Sequence, residues 1–422
     1  MDSRVIFLVE NMSFPQDRRV RQEAEALATR GWKVSVICPR GGTDGSSSFE
    51  VIDNIKVYRY RQPFQGGGML GYVLEYGWAM LASFILILSI WAKDGFDVLH
   101  AANPPDLFFL VAAPFLLCGK KFVYDQHDLC PELLAFKFQR ATALRSILFF
   151  LERCSYRLAD LVIVTNQSAY ETARKRGGVQ PEKLCIVRNG PDLRYFNSIA
   201  PCPYLKDPAR YLVVYVGSIA KQDGVDTLVK AANHIIHTRG RTDVKFALLG
   251  DGDSLQELRD LVGVLGIERY VSFAGWVGDS KLLEYLSTAD VCAAPDAPVP
   301  INQLSTFIKI MEYMSCGKVT VSFDLLESRR TAGPAAMFVC THNPESFGNA
   351  ILEILDDPLR RERLGQLALE RVRTTLHWGL SSEVLVTTYE QVIQRGVLRV
   401  HHPEYERLVD LEPAYRNEGQ ID

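Results

Sequence analysis

The stretch Tyr211-Leu-Val-Val-Tyr215-Val-Gly217-Ser218-Ile-Ala-Lys221-Gln222-Asp223-Gly224-Val-Asp226 decides the architecture. Its unbroken apolar run, ended by glycine, reads as a fully buried strand, and the polar turn behind it opens a helix. Glycine at a strand end lets a ligand approach the backbone. Downstream the rhythm repeats. Lys245–Leu249, Val271–Ala274, Val291–Ala294 and Val319–Phe323 read as strands, with helices over Gly224–His237, Ser254–Leu265, Lys281–Ser287 and Thr306–Ser315. Upstream, Val5–Val9, Lys33–Cys38, Val98–Ala101, Lys121–Tyr124 and Leu161–Val164 are strands, and Asp17–Arg30 is a helix ended by Gly31. Buried strands alternating with helices predict parallel sheets with crossover helices, and the proline-bearing Pro201–Pro208 reads as a linker between two such runs. The expected fold class is α/β, with two Rossmann-like, doubly wound domains over 1–200 and 205–375. Their strands' carboxyl ends should face across one cleft.

Past residue 375 the pattern changes to a long helix carrying Val384, Leu385, Thr388, Tyr389 and Val392, followed by a polar, aperiodic tail over 401–422. A chain of 422 residues fits two domains, and 47% hydrophobic with 23% charged residues is a globular composition. A net charge of -3 gives no reason to expect a nucleic-acid partner. The nine cysteines are scattered singly, without metal-ligand spacing, and read as small core residues in a reducing, cytoplasmic setting. The apolar run Trp78–Trp91 is shorter than the roughly 20 residues a bilayer crossing needs. A buried core helix and a helix lying in a membrane interface both fit it. Phe136–Arg153, which mixes basic and bulky apolar residues, likewise reads either as a membrane-surface helix or as a packed helix with exposed basic residues.

The chemistry-bearing segments sit at predicted strand ends. Pro300-Ile-Asn302-Gln-Leu-Ser305-Thr306-Phe307-Ile-Lys309-Ile-Met-Glu312 is read as a turn and a helix capped near Ser305, which sets Ser305, Lys309 and Glu312 on one face. A helix N-terminus with a lysine one turn in suits a diphosphate, and Glu312 suits a ribose's vicinal hydroxyls. An ordinary amphipathic helix with a solvated Lys–Glu pair is the alternative. Gly250-Asp251-Gly252-Asp253 repeats the strand–glycine–helix design, and its aspartates read as turn and cap residues rather than metal ligands. Asp125-Gln-His127-Asp128 and Glu132 crowd carboxylates and a histidine at one strand end, a density expected at a cleft or surface and not in a desolvated core. His127 is a candidate for handling protons or binding a sugar, with a structural histidine as the alternative.

In order and spacing these segments resemble the retaining glycosyltransferases of family 4, which have the GT-B fold. The matches include the Arg-x-x-x-Glu-Ala-x-x-Leu character of Arg18–Gly31, His127-Asp128, Asn189-Gly190-x-Asp192, Gly217, Gly250-Asp-Gly252, Val271-Ser-Phe-Ala-Gly275 and Glu312-Tyr-Met-x-x-Gly317. The resemblance implies a nucleotide-sugar donor, a UDP-sugar, in the C-terminal domain. The donor would lie on Gly217, Ser218, Lys221, Gly250, Gly252, Ser305, Thr306 and Phe307, with its base near Trp276 and Val277. His127, Lys309 and Glu312 would carry catalysis, without a metal or other cofactor. The N-terminal domain, completed by about 376–400, would hold the acceptor, with Asp17, Arg18, Asp125, Asp128 and Glu132 on that side. The family's first motif glutamate is Leu304 here, and its usual arginine and lysine are Ser218 and Asp223. The diphosphate would then rest on Lys309, helped by Lys221 and the Ser305–Phe307 amides. Gln222-Asp223-Gly224-Val225-Asp226 with Asn302, Ser305-Thr306 and Lys309 is similar to transferases of bacterial surface polysaccharides such as colanic acid and O-antigen. That implies a lipid-linked or oligosaccharide acceptor, and a protein peripheral on the inner membrane face. A catalytically inactive nucleotide-sugar-binding subunit and a sugar-nucleotide epimerase of the same fold are the alternatives.

Overall fold

The computed structural model describes residues 3–41, 47–64, 68–137 and 142–394; the polar tail and Phe138–Arg140 lie outside them. The chain divides into two compact units. One runs to Asn189 and resumes at Gly379, and the other runs from Gly190 to Trp378.

The first unit is built on β1 (Arg4–Leu8), β2 (Lys33–Pro39), β3 (Phe49–Ile52), β4 (Ile55–Tyr60), β5 (Val98–Ala102), β6 (Lys121–Gln126), β7 (Leu161–Val164) and β8 (Leu184–Ile186). They form one sheet in the order β3-β4-β2-β1-β5-β6-β7-β8, parallel except for the β3–β4 hairpin. The helix α1 (Arg18–Thr29) packs its Val20, Ala24 and Leu27 inward. A second helix, α2 (Gly68–Lys93), is 26 residues long, well beyond the apolar run seen in the sequence. By length and composition it is long enough and apolar enough to cross a membrane, yet a third of its most apolar window is buried. Ala79, Ile87 and Ile90 join the core beside Phe108, Phe115 and Tyr60, while Leu70, Val73, Leu81, Ile85 and Leu88 face outward.

The second unit contains β9 (Tyr211–Val216), β10 (Val244–Leu249), β11 (Val271–Gly275), β12 (Val291–Ala294), β13 (Thr320–Phe323) and β14 (Ala336–Val339), all parallel, in the order β11-β10-β9-β12-β13-β14. Period-2 alternation sorts its strands between two cores. Val213, Tyr215, Phe246 and Leu248 enter the cluster on one face, and Leu212, Val214, Ala247 and Leu249 the cluster on the other. Burial on both faces explains why these strands read as continuous apolar runs. The segment after β12 departs from expectation. Pro300–Leu304 forms its own short helix, and α3 (Ile308–Ser315) starts only after an extended break. Ser305 therefore caps no N-terminus; its hydroxyl donates to the Ile301 carbonyl at 2.8 Å. Proline at the first helical position starts the short helix early, and Asn302 ties it to the β9 turn by donating to the Gln222 and Ala297 carbonyls. The last helix, α4 (Trp378–Ile393), belongs almost entirely to the first unit.

The turns behind β9 and β10 abut directly. Gly250 sits at φ 136°, and a Cβ there would lie 1.8 Å from the Gly217 carbonyl oxygen. Gly250→Ala is therefore expected to cost about 2 kcal/mol or more in urea unfolding. Gly77→Ala, on the open face of α2 with nothing within 4 Å, is expected to stabilise by about 0.5–1 kcal/mol.

Candidate functional site

In the second unit the carboxyl ends of β9, β10 and β12 converge on the N-terminal turn of α3. The Lys309 ammonium lies 2.6 Å from Asp296 Oδ1 and 3.5 Å from the Tyr215 hydroxyl, above the rings of Tyr215 and Phe307. Gly217 borders it, since a Cβ there would stand 3.5 Å from Nζ. Any side chain at 217 would close the approach that glycine leaves open. Lys309 is thus already paired, with a fully buried aspartate whose carboxyl is pushed up by burial and pulled back by the lysine. Among the described residues, Asp296 Oδ2 has no hydrogen-bond partner. Asp223 lies in the same corner, and burial raises its pKa to about 6 against the opposing pull of Lys309. At neutral pH this corner holds one ammonium against two carboxylates, so a diphosphate needs further donors. Lys221 is exposed in the same turn, and a helix N-terminus such as that of α3 is suited to an anion.

The remaining donor-side residues lie on the same strand ends. Ser218 is exposed and its carbonyl accepts from the Tyr215 hydroxyl at 2.6 Å. A Cβ at Gly252 would stand 2.5 Å from the Ile219 carbonyl. Trp276, directly behind β11, is 82% exposed, a large apolar ring offered to solvent, while its neighbour Val277 packs on the core. Thr306 and Phe307 form the extended break before α3, and Glu312 is buried one turn after Lys309 on the same helix. Ser305, by contrast, does not share that helix.

In the first unit, the strand end after β6 is organised by a buried charge cluster. Asp125 is fully buried, and the Arg19 guanidinium grips it in a fork, Nη2 to Oδ1 at 2.7 Å and Nε to Oδ2 at 3.0 Å. Arg19 also pairs with Glu23 at 2.9 Å and donates to the Val187 carbonyl and Asn189. Burial pushes both carboxyls up. For Asp125, Arg19 and His127 more than offset this and hold it well below the usual carboxylate range. For Glu23 burial prevails, and its carboxyl lies well above that range. Glu23, His100 and Asp125 lie close enough together to hold a metal ion, and here Arg19 supplies the positive charge. His100, kept neutral by burial, stands 3.3 Å from Glu23 and 3.4 Å from Asp125 through Nε2, and bonds the Tyr389 hydroxyl of α4 through Nδ1.

His127 is the cluster's outlet. Its Nε2 is hydrogen-bonded to Asp125 Oδ2, its amide donates to Asn103 Oδ1 at 2.6 Å, and its side chain is 14% exposed. Asn103 also bonds the Asp128 backbone from both sides, accepting from its amide and donating to its carbonyl. This geometry gives three of the acceptor-side carboxylates partners within the first unit. Asp125 is no surface group; a matched guanidinium makes its burial affordable. Asp17 caps α1 by accepting from the Val20 amide at 3.0 Å. Glu132 is locked to Arg176, which also pairs with the buried Glu152. Arg18 and Asp128 are exposed beside these positions. His100 and Tyr389 were missed in the sequence because partners so distant along the chain leave no local pattern, whereas Glu23, four residues from Arg19, is the glutamate of the Arg-x-x-x-Glu motif.

Replacing Arg19 by Met leaves two buried carboxyl groups without their cation, and is expected to cost about 3–5 kcal/mol in urea unfolding. His127→Gln, at the exposed end of the same cluster, is expected to stay within about 1 kcal/mol of the parent.

Residues 16–195 match the Glycosyltransferase Family 4 domain, and residues 210–357 match Glycosyl transferases group 1. A D-inositol 3-phosphate glycosyltransferase of Kineococcus radiotolerans is 27% identical over 242 residues, 51% of this chain and 54% of that protein. Glycogen synthase of Mycobacterium tuberculosis is 24% identical over 88% of this chain and 90% of its own. The lipopolysaccharide core biosynthesis glycosyltransferase LpsD of Rhizobium meliloti is 26% identical over 46% and 53%. The chain thus spans about half the length of two of these three relatives. Among solved structures, sucrose-phosphate synthase of Thermosynechococcus elongatus superposes with a TM-score of 0.78 at 21% identity, over 93% of this chain and 100% of that one. Anabaena HepE in complex with UDP-glucose superposes with a TM-score of 0.70 at 17% identity, over 92% and 99%. The two matched domains take in most of the sequence: the chain carries a Glycosyltransferase Family 4 domain followed by a Glycosyl transferases group 1 domain, on a GT-B fold.

Proposed function

We propose that this glycosyltransferase moves a sugar from a UDP-sugar to a lipid-linked or oligosaccharide acceptor in cell-surface polysaccharide synthesis, with retention of anomeric configuration. The observation that carries the donor half is the convergence of glycine-bearing strand ends on Lys309 and the first turn of α3. HepE, of the same fold, is described with UDP-glucose, and LpsD acts in lipopolysaccharide core synthesis. In this reading the diphosphate lies against the Gly217 turn, the α3 amides, Lys221 and Lys309. The base lies near Trp276, and Glu312 receives the ribose hydroxyls. As the glycosidic bond breaks, negative charge grows on the leaving phosphate, and these fixed donors stabilise it. His127, held by Asp125, meets the transferred sugar. The acceptor hydroxyl gives its proton to the departing phosphate.

A binding subunit without turnover is the second reading, and one observation favours it: Lys309 is already neutralised by Asp296, with Asp223 adding a further carboxylate. Thermal shifts with UDP-, GDP-, dTDP- and ADP-sugars, paired with an assay for released nucleotide, separate the two. A shift with UDP-sugars and UDP release support transfer. A shift without release of any nucleotide supports the binding subunit.

The membrane half rests on α2. Its inner face is buried in the first unit's core and its outer face exposes Leu70, Val73, Leu81, Ile85 and Leu88. The helix Thr142–Leu158 adds exposed Arg145, Arg153 and Arg157 beside exposed Ile147 and Phe150. Apolar residues flanked by cations suit the anionic cytoplasmic leaflet.

Two outcomes follow. Burial raises the Asp223 carboxyl, so it is neutral below pH about 6 and charged above. UDP-glucose, whose esterified phosphates do not titrate there, should bind more tightly as pH falls through that value. Asp223→Asn should flatten the profile and bind roughly three- to tenfold more tightly than the parent at neutral pH by calorimetry. In flotation with phosphatidylglycerol vesicles the parent should rise with the lipid, and the double variant Leu81→Glu, Ile85→Glu should stay in the soluble fraction.

A further inference from the structure

A second polar cluster lies at the strand ends of the first unit, where β1 and β4 finish. Glu10 stands two residues past β1 and Gln62 two residues past β4, and the Gln62 side-chain amide reaches across the end of β2 to donate to Glu10 Oε1 at 3.2 Å. The Trp78 indole N–H donates to the Arg61 carbonyl at 2.7 Å, which holds the N-terminal part of α2 against this corner. Glu10 is 6% exposed, and burial together with the nearby Glu75 raises its carboxyl to about 7. Burial, with Glu10 adding to it, pushes the Tyr60 hydroxyl up, and burial with Glu10 and Cys130 does the same to Tyr76 of α2.

What marks this corner is unfilled hydrogen-bonding capacity. Tyr60 is 6% exposed, yet among the described residues its hydroxyl has no hydrogen-bond partner, and neither has Gln62 Oε1. Buried polar groups without partners are uncommon, and leaving one unmatched costs about 1–3 kcal/mol. Such groups persist where something else completes them. The unmet needs are mixed: Tyr60 offers a proton and a lone pair, and Gln62 Oε1 and Glu10 accept. A phosphate or carboxylate ligand would be repelled by Glu10 and Glu75. An ammonium would leave the Tyr60 proton unmet. Adjacent hydroxyl groups, each both donor and acceptor, satisfy all three.

We propose that Glu10, Tyr60 and Gln62 form a subsite for the hydroxyls of a pyranoside ring whose apolar aglycone runs along the exposed Leu70, Val73 and Leu74 of α2. The proposal rests on the reading of the first unit as the acceptor side, and it adds the residues that read the acceptor and the kind of molecule they fit. The glycosidic oxygen points toward the apolar helix, and the ring's vicinal hydroxyls point down to the strand ends. Ring recognition and lipid attachment therefore meet within one element pair, β4 and α2.

The test uses the full chain and a panel of octyl glycosides of glucose, galactose, mannose and N-acetylglucosamine, below their micelle concentrations. Saturation-transfer difference NMR reads which ring protons touch the protein. The expected result is ring-proton saturation for at least one glycoside, with affinity falling about tenfold or more in Glu10→Gln and in Tyr60→Phe. Both variants should keep the parent's unfolding midpoint to within a few degrees and its UDP-glucose affinity. Affinities within twofold of the parent in both variants overturn the subsite, as does the absence of glycoside binding in a protein that binds UDP-glucose. Glycoside binding that depends on Glu10 in a protein that binds no nucleotide supports the subsite while removing the transferase reading above.

Discussion

The first unit turns on one buried ion pair, Arg19 with Asp125. A carboxylate with no solvent exposure at the end of a central strand is tolerable only with its charge matched and its lone pairs filled. The guanidinium fork does both, and the consequences spread along each remaining contact. Glu23 shares the same cation, and burial holds its carboxyl well above the usual range. His100 stays neutral, ties the cluster to Tyr389, and so fixes α4 on the first unit's sheet. The second oxygen of Asp125 then fixes the ring of His127. His127 is partly exposed, so buried electrostatics are converted into the orientation of a side chain that reaches solvent.

The second unit reaches its geometry by a different route. Its strand ends carry glycine where backbones come closest, with the Gly250 turn pressed on Gly217 and the Gly224 turn on Pro295. These contacts exclude side chains from the floor of the corner, so Lys309, its aspartate and the α3 amides are the chemistry left in it. Asp223 in the same corner changes the balance. Positive charge is scarce there, and under the proposed function backbone dipoles with Lys221 take a larger share of holding a diphosphate. That balance is also why the corner's behaviour should depend on pH near neutrality.

The strands and the two-unit α/β organisation were legible from the sequence because parallel strands buried on both faces must be apolar throughout, and that pattern is local. Gly217 and Gly250 were legible for the same reason, each following directly on such a run. What escaped depended on partners remote along the chain. Asp125 looked like a surface group because Arg19 lies 106 residues away. Ser305 looked like a helix cap because the pull of Asn302 on the Gln222 carbonyl, 80 residues away, cannot be seen locally. α2 looked short because its first turns carry Tyr72, Glu75 and Tyr76, whose polar atoms interrupt the apolar run without interrupting the helix. Glu10 drew no notice at all, since its significance comes only from Gln62 and Tyr60 folding over it.

The proposed retaining transfer from a UDP-sugar can be followed in one measurement. Proton NMR of UDP-glucose and UDP-N-acetylglucosamine incubated with the full chain follows the donor's anomeric signal directly. The account predicts that one donor signal decays while free UDP appears, that the first-formed sugar product carries the donor's own anomeric configuration, and that His127→Gln slows the decay without loss of donor binding. A first-formed product of inverted configuration would contradict it, as would bound donor that persists unchanged in the presence of octyl glycosides.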